Sequence, residues 1–98
     1  MVEVENSFKI FLSNYLEKKE MWLALNTIHL IQLWEKSNKI VFEVTCTYPG
    51  LFIGFQGRDF NEMYEEMLHF FNGSYKETIK GRELEIRLKE FKPFTLNK

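Results

Sequence analysis

The sequence predicts an α+β fold with two layers, in which helices cover one face of a three-stranded sheet. Apolar residues recur at helical spacing in two segments, and two other segments alternate between apolar and polar residues. Glycine is concentrated in one short stretch between them. The predicted element order is α-β-β-α-α-β. Since three strands with one apolar face need a cover, the helices are expected to pack on that face.

The first predicted element is a helix over residues 6–26. Asn6 or Ser7 is expected to cap its N-terminus, and Asn26 is expected to end it. Lys19 interrupts the apolar stripe, so its stem should pack while its amine reaches water. The stripe consists of Phe8, Phe11, Leu12, Tyr15, Leu16, Trp22 and Leu23.

Two strands joined by the polar turn EKSNK are predicted over residues 27–48. The segments TIHLIQLW and IVFEVTCTY are rich in β-branched and aromatic residues. In the second segment Ile40, Phe42, Val44 and Cys46 share one face, while Val41, Glu43, Thr45 and Thr47 share the other. This alternation predicts a half-buried antiparallel strand. A continuous helix from Ser7 to Lys36 is the alternative, which Thr27, Ile28 and Ile31 disfavour.

A helix pair over 50–72 and a last strand over 82–91 complete the predicted fold. A short helical turn precedes the glycine loop, and a longer helix from Arg58 ends at Asn72–Gly73. The segment SYKETIKG is polar and is expected to form a loop. Pro93 should close the fold before a short tail. The predicted core consists of Phe42, Val44, Ile53, Phe60, Tyr64, Met67, Ile86 and Leu88.

Composition limits the class of protein. A chain of 98 residues predicts a single domain over 1–98, and 45% apolar residues are too many for disorder. A net charge of −1 gives no general attraction to nucleic acid, so any such binding needs a local patch. The single cysteine, Cys46, excludes an internal disulfide and fits a reducing compartment. An acidic N-terminus and the lack of a run of ~20 apolar residues predict a cytoplasmic protein without membrane contact.

The residue pattern offers little for catalysis or metal binding. His29 and His69 stand apart from any cysteine, histidine or carboxylate spacing typical of a metal site. The sequence shows neither a nucleophile–base pair nor a phosphate-binding P-loop. We therefore expect a protein that is not an enzyme and uses no cofactor or metal, with Cys46 as a small buried apolar residue.

Three of the 5 glycines lie within eight positions of the segment PGLFIGFQGRDF. Gly54 and Gly57 separate the apolar run Leu51–Ile53 from the helix that follows. Glycine lets a backbone turn sharply or approach another group closely, because it has no Cβ. The N-terminus of the following helix supplies free N–H groups and a partial positive charge. The stretch is therefore the candidate site.

The segment VTCTYPGLFIGFQGRDF resembles the central signature of type II KH domains, and most closely that of the KH domain in a bacterial small-subunit ribosomal protein. In those domains a strand ends in a Pro-Gly-like turn, and an apolar-apolar-Ile-Gly helix precedes a Gly-x-x-Gly loop. Gly54, Phe55, Gln56 and Gly57 match the loop, and Phe60 matches an apolar position of the next helix. The resemblance covers residues 40–91.

The resemblance implies binding of single-stranded RNA or another nucleic acid, with about four nucleotides clamped at the loop. The implied binding residues are Ile53, Gly54, Phe55, Gln56, Gly57 and Arg58. The sequence departs from the family where a basic residue usually stands between the glycines, and only Arg58 is positive at the helix start. Since phosphate affinity comes mainly from lysine and arginine, two hypotheses stay open: a divergent RNA-binding groove, or a protein-interaction surface at the GFQG edge.

Overall fold

The structure, a computed structural model, describes residues 1–92 except for the side chain of Phe55; the predicted close at Pro93 and the tail lie outside the described residues. The helices are α1 (Val2–Lys18), α2 (Trp22–Asn26), α3 (Gly50–Ile53), α4 (Arg58–Ser74) and α5 (Lys76–Ile79). The strands are β1 (Ile28–Glu35), β2 (Lys39–Cys46) and β3 (Glu83–Glu90). A 3₁₀ turn, Phe55–Gly57, joins α3 to α4.

The predicted α+β class is confirmed. The three strands lie in the order β1-β2-β3, with β2 antiparallel to β1 and parallel to β3. The strand–turn–strand step excludes the alternative of one helix from Ser7 to Lys36. The central strand is more buried than predicted, because Val41 on the polar face is also fully buried. Val41 lies in register between Trp34 and Glu85, whose side chains flank it.

The core lies between one face of the sheet and the two long helices. Phe8 of α1 stacks on Phe42 of β2 with ring centroids 4.2 Å apart, and Phe71 of α4 stacks on the same ring at 5.5 Å. The predicted inward positions Leu84 and Ile86 of β3 are buried. These contacts join α1, β2, β3 and α4 into one apolar cluster, so the helix layer is fixed on the sheet by aromatic packing.

The predicted single helix over 6–26 is wrong at its start and in its middle. Helix α1 begins at Val2, without a side-chain cap from Asn6 or Ser7, because Val4 extends the buried stripe toward the N-terminus. The chain turns after Lys18: Glu20 is left-handed at φ 58°, and Met21 N donates to Leu16 O at 2.8 Å. This is a Schellman-type end.

The turn at Glu20 changes the direction of the chain before α2 begins. As a consequence, Trp22 and Leu23 leave the stripe in which they were predicted and are exposed, at 51% and 65%. Helix α2 ends at Asn26, the predicted boundary, but Asn26 is itself helical and does not adopt the left-handed conformation on which the prediction was based.

The second half of the chain also differs from the prediction in three places. Ile53 and Phe60 were assigned to the core, but Ile53 is 41% exposed and Phe60 is only half-buried, because both border an open groove. Phe60, Tyr64 and Leu88 are half-buried and pack against the buried core cluster, so the core prediction holds in part for these three. The segment predicted as a loop contains α5, which buries Ile79. Helix α4 continues through Asn72–Gly73 to Ser74, since Gly73 fits a helix and Phe71 remains in the core.

Among residues 1–92, no helix is both long and apolar enough to cross a membrane.

Candidate functional site

The glycine loop has an unusual backbone over four residues. Gly54, Gln56 and Gly57 all have positive φ, at 74°, 53° and 76°. Gly54 combines this φ with a ψ of −175°, a conformation essentially restricted to glycine. Gly57 N donates to Gly54 O at 3.3 Å and closes the turn. The main chain of the loop therefore makes a tight turn between α3 and α4.

Asp59, in the first turn of α4, covers Gly54. A Cβ built on Gly54 would lie 2.5 Å from Asp59 Oδ2 and 2.6 Å from its Cγ. A Cβ built on Gly57 would meet only Asn61 Nδ2, at 3.9 Å. The two glycines thus serve different purposes: Gly54 is required by both conformation and space, whereas Gly57 is required by conformation alone.

An apolar groove opens beside this loop. It has a volume of about 300 Å³ and is lined by Ile53, Gly57, Phe60, Asn61 and Leu88. Helices α3 and α4 form one wall of the groove and β3 forms the other. The floor of the groove consists of apolar side chains. They lie on the core-facing sides of their elements, but no described element covers them completely.

The wall formed by β3 is the free edge of the sheet. Glu83 N donates to Asn38 O and Phe91 N donates to Cys46 O, so the odd-numbered residues of this strand bond toward β2. The even-numbered residues direct their main-chain groups toward the free edge. Accordingly, Tyr64 Oη donates to Leu84 O at 2.7 Å. Leu88 lines the groove, and Ile86 lines an adjoining depression that shares Phe60 and Asn61 with it, so the outward main-chain groups of both residues can bond to a ligand.

The charge around the groove is mixed. Arg58 is exposed at the start of α4, and Asp59 stands next to it against the loop. Two glutamates of α4 are neutralised by α1, since Lys18 pairs with Glu66 at 3.0 Å and Lys19 pairs with Glu62. Part of the acidic surface of α4 is therefore an interhelical contact with the end of α1.

The structure brings the predicted site residues together around one loop. Ile53 lines the groove, Gly54 and Gly57 form the turn, Gln56 is exposed at its tip, and Arg58 begins α4. Phe55 lies in the 3₁₀ turn, and its side chain is outside the described part of the structure. This proximity follows from their adjacency in sequence.

Sequence reasoning missed three contributors to this region. Asn61 supplies an amide at the groove, Leu88 supplies its β3 wall, and Asp59 covers the loop glycine. Asn61 follows Gly57 by one helical turn, a spacing that could have indicated it. Leu88 could not have been assigned in this way, because it is 31 residues away from Gly57 in the chain.

Burial changes the acidity of the tyrosine beside the groove. Tyr64 is half-buried, and desolvation, followed by the charges of Glu83, Glu65 and Glu85, raises its pKa above the ordinary value. Its hydroxyl thus remains protonated and donates to Leu84 O. Within residues 1–92, the carboxylates, cysteine and histidines form no group of three suited to a metal ion.

Comparison with known proteins finds no protein-family model that matches the chain and no matching relative among curated proteins.

Proposed function

We propose that the chain is a divergent type II KH-like domain that binds single-stranded nucleic acid, RNA in particular, in the groove beside the glycine loop. The observation that carries the proposal is the position of an apolar groove directly between the loop Gly54–Gly57 and the free edge of β3. A nucleic-acid strand needs both features: a surface for bases and a close approach for its phosphates.

The groove suits unstacked bases. Ile53, Phe60 and Leu88 provide an apolar floor, and Asn61 adds an amide that can both donate and accept. The outward main-chain groups of Ile86 and Leu88 offer further hydrogen bonds to base edges. A base bound here would contact protein atoms on its faces and along its edge.

The loop suits a sugar–phosphate backbone in shape more than in charge. The positive-φ turn brings the main chain to the surface, and Arg58 offers a cation at the start of α4. The Asp59 carboxylate beside Gly54 repels phosphate. We therefore expect weak binding with a shallow dependence on salt, since few phosphates are neutralised.

The position of Asp59 favours a second candidate function, which is binding of a protein partner with a basic segment. An exposed Ile53 at the groove and the Asp59 carboxylate on the adjoining loop would fit a lysine or arginine flanked by apolar residues. Both candidate functions use the same surface. They differ in the charge of the ligand, which is negative for RNA and positive for a basic peptide.

Titration of wild type with mixed-sequence single-stranded RNA and with a basic peptide, at about 50 and 200 mM salt, tests both proposals. Gln56→Lys and Asp59→Asn should each strengthen RNA binding and weaken peptide binding. Lys is compatible with this conformation, since Lys80 has the same backbone φ of 54°. Gln56→Lys should also steepen the slope of log K against log salt by about 0.7 for a single strand.

Asn14→Lys, on the exposed face of α1, adds the same charge away from the groove and serves as the control. A wild type that binds no RNA at about 50 mM salt, where phosphate contacts are strongest, would remove the first proposal. Equal gains from Asn14→Lys and Gln56→Lys would place RNA binding elsewhere on the surface.

The pair Gly57→Asp and Gly57→Asn isolates charge at the loop. Both side chains enter open space and tolerate positive φ, so both variants should fold. If RNA binds here, the Asp variant should lose most of the binding that the Asn variant retains. Equal affinities for RNA would contradict the proposed position of the phosphates.

A further inference from the structure

The outer face of the sheet, on the side opposite the helices, takes no part in the groove. No helix or strand of residues 1–92 packs on this face, yet it holds three large exposed apolar side chains: Leu30 at 50%, Trp34 at 46% and Phe91 at 38%. We propose that this face, which we call the outer sheet face, binds the same face of a second copy of the chain.

Two rows across the outer sheet face explain why a second copy fits. One row consists of Trp34, Val41 and Glu85, from β1, β2 and β3. The other consists of Leu30, Thr45 and Lys89, in the same strand order. Both rows begin with an apolar side chain on β1, and they end in opposite charges on β3.

A two-fold axis that crosses the strands brings these rows together. It stacks each strand on its own copy with the direction reversed, so the first row of one chain faces the second row of the other. Trp34 then meets Leu30 of the second copy, and Glu85 meets Lys89. Gln32, Glu43 and Arg87 lie in the row through which the axis passes, so each faces its own copy there, and Arg87 of one chain is a strand spacing away from Glu43 of the other.

The other in-plane two-fold axis gives an unfavourable contact. An axis along the strands would stack β1 on β3, so that Trp34 faced Glu85 and Leu30 faced Lys89. Apolar side chains would then cover charged groups, which lose their hydration without a partner. Glu43 faces its own copy in either arrangement, and Arg87 does so only in the first. The two outer rows, which pair apolar with apolar and Glu85 with Lys89, therefore favour the first arrangement.

The size of the face limits the strength of the dimer. Three strands of eight residues cover roughly 14 × 26 Å, from the usual strand spacing and rise per residue. Such a contact buries roughly 700–800 Å² over both copies, which is below the size of stable specific interfaces. We therefore expect a weak dimer that dissociates in the high micromolar range. The groove is on the opposite side of the sheet, so this inference does not depend on the proposed function.

Sedimentation velocity of the full chain over about a hundredfold range of concentration that reaches the high micromolar region tests the proposal. Wild type should change from monomer to dimer as concentration rises. Trp34→Lys should raise the dissociation constant at least about tenfold, because it places a charge in the apolar contact. Trp22→Lys is the matched control: Trp22 is equally exposed, at 51%, but it is on α2.

Charge reversal tests the arrangement itself. Glu85→Lys and Lys89→Glu should each weaken the dimer, and the double variant should restore it. Since Glu85 also contacts Lys39 and Arg87 within the chain, far-ultraviolet circular dichroism should verify that each variant is folded.

A crosslink test avoids dependence on those variants. Gln32→Cys is on the row of the axis, so a short bismaleimide should join two copies through this position, and Asn14→Cys on α1 should not be joined. A wild type that remains monomeric throughout, equal effects of Trp34→Lys and Trp22→Lys, or crosslinking of both cysteine variants alike would overturn the proposal.

Discussion

At the scale of single residues, the loop depends on two glycines for different physical reasons. Gly54 has a backbone that other residues avoid and also lies under the Asp59 carboxylate. Gly57 is left-handed, at φ 76°, and faces open space. The loop is therefore more sensitive to change at its first glycine than at its second.

Replacement of each glycine by alanine should expose this difference. Gly54→Ala should lower the free energy of unfolding by about 2–3 kcal/mol, because it adds a clash with Asp59 to backbone strain. Gly57→Ala should cost about 1 kcal/mol, the left-handed penalty alone. Urea unfolding of the two variants compares them directly, and both replacements change the unfolded chain alike. Equal losses would contradict the packing of Asp59 on Gly54.

At the scale of elements, helices α1 and α4 are joined by aromatic packing that is bordered by ion pairs. Tyr15 of α1 is nearly fully buried, and the ion pairs of Lys18 and Lys19 with α4 flank it. Desolvation, followed by the charges of Glu62, Glu66 and Asp59, raises the pKa of Tyr15 to about 12. Surface ion pairs contribute little each. The main stabilising element of this contact is therefore the aromatic packing, in which Phe11 meets Phe70 of α4 with ring centroids 5.4 Å apart and Tyr15 stacks on Phe11.

The raised pKa of Tyr15 predicts a loss of stability in alkali. The tyrosine of the unfolded chain has the ordinary pKa of 10.0, while the folded one stays neutral to about pH 12. Stability is thus fully present below pH 10 and falls as pH rises through this window. Tyr15→Phe should reduce the fall measured by urea unfolding at pH 8 and pH 11. Tyr48→Phe, at an exposed position, should leave it unchanged; a fall of wild-type size in Tyr15→Phe would refute the assignment.

At the scale of the whole molecule, the central strand β2 separates two different surfaces. Its inner face holds Phe42 in the core, while its outer face is part of an uncovered sheet. The groove is at the β3 edge on the helix side. In the proposed dimer, β3 of one copy lies over β3 of the other. The two grooves would then lie along the same edge of the dimer and could bind two parts of one longer ligand.

Cys46 reports on the opening of this whole structure. It is fully buried at the end of β2, and desolvation, followed by Glu90, raises the pKa of its thiol. A thiol reagent should therefore react only when the fold opens, roughly a thousandfold or more slower than in denaturant. The measurement is the rate of colour formation with an aromatic disulfide. Reaction at a comparable rate in native buffer would show that this end of β2 opens locally.

The sequence alone determined the elements that depend on local pattern. Alternation in IVFEVTCTY and RELEIRLKEF identified β2 and β3 together with their buried faces, and helical spacing located α4. The clustered glycines identified the loop, because positive φ is a local requirement. Local pattern failed where the chain turned without glycine: Glu20 ends α1, and no residue type at that position predicts it.

Only the tertiary structure decided how far each apolar residue is covered and which distant residues meet. Periodicity assigns a residue to a side of its element, but exposure depends on what packs there. Ile53 therefore lines a groove and is exposed, Phe60 lies between the groove and the core, and Val41 is buried on a polar face. Likewise, the parallel pairing of β2 with β3 joins residues 44 positions apart, such as Ile40 and Leu84. Such contacts depend on three-dimensional packing, for which no local signal exists in the chain.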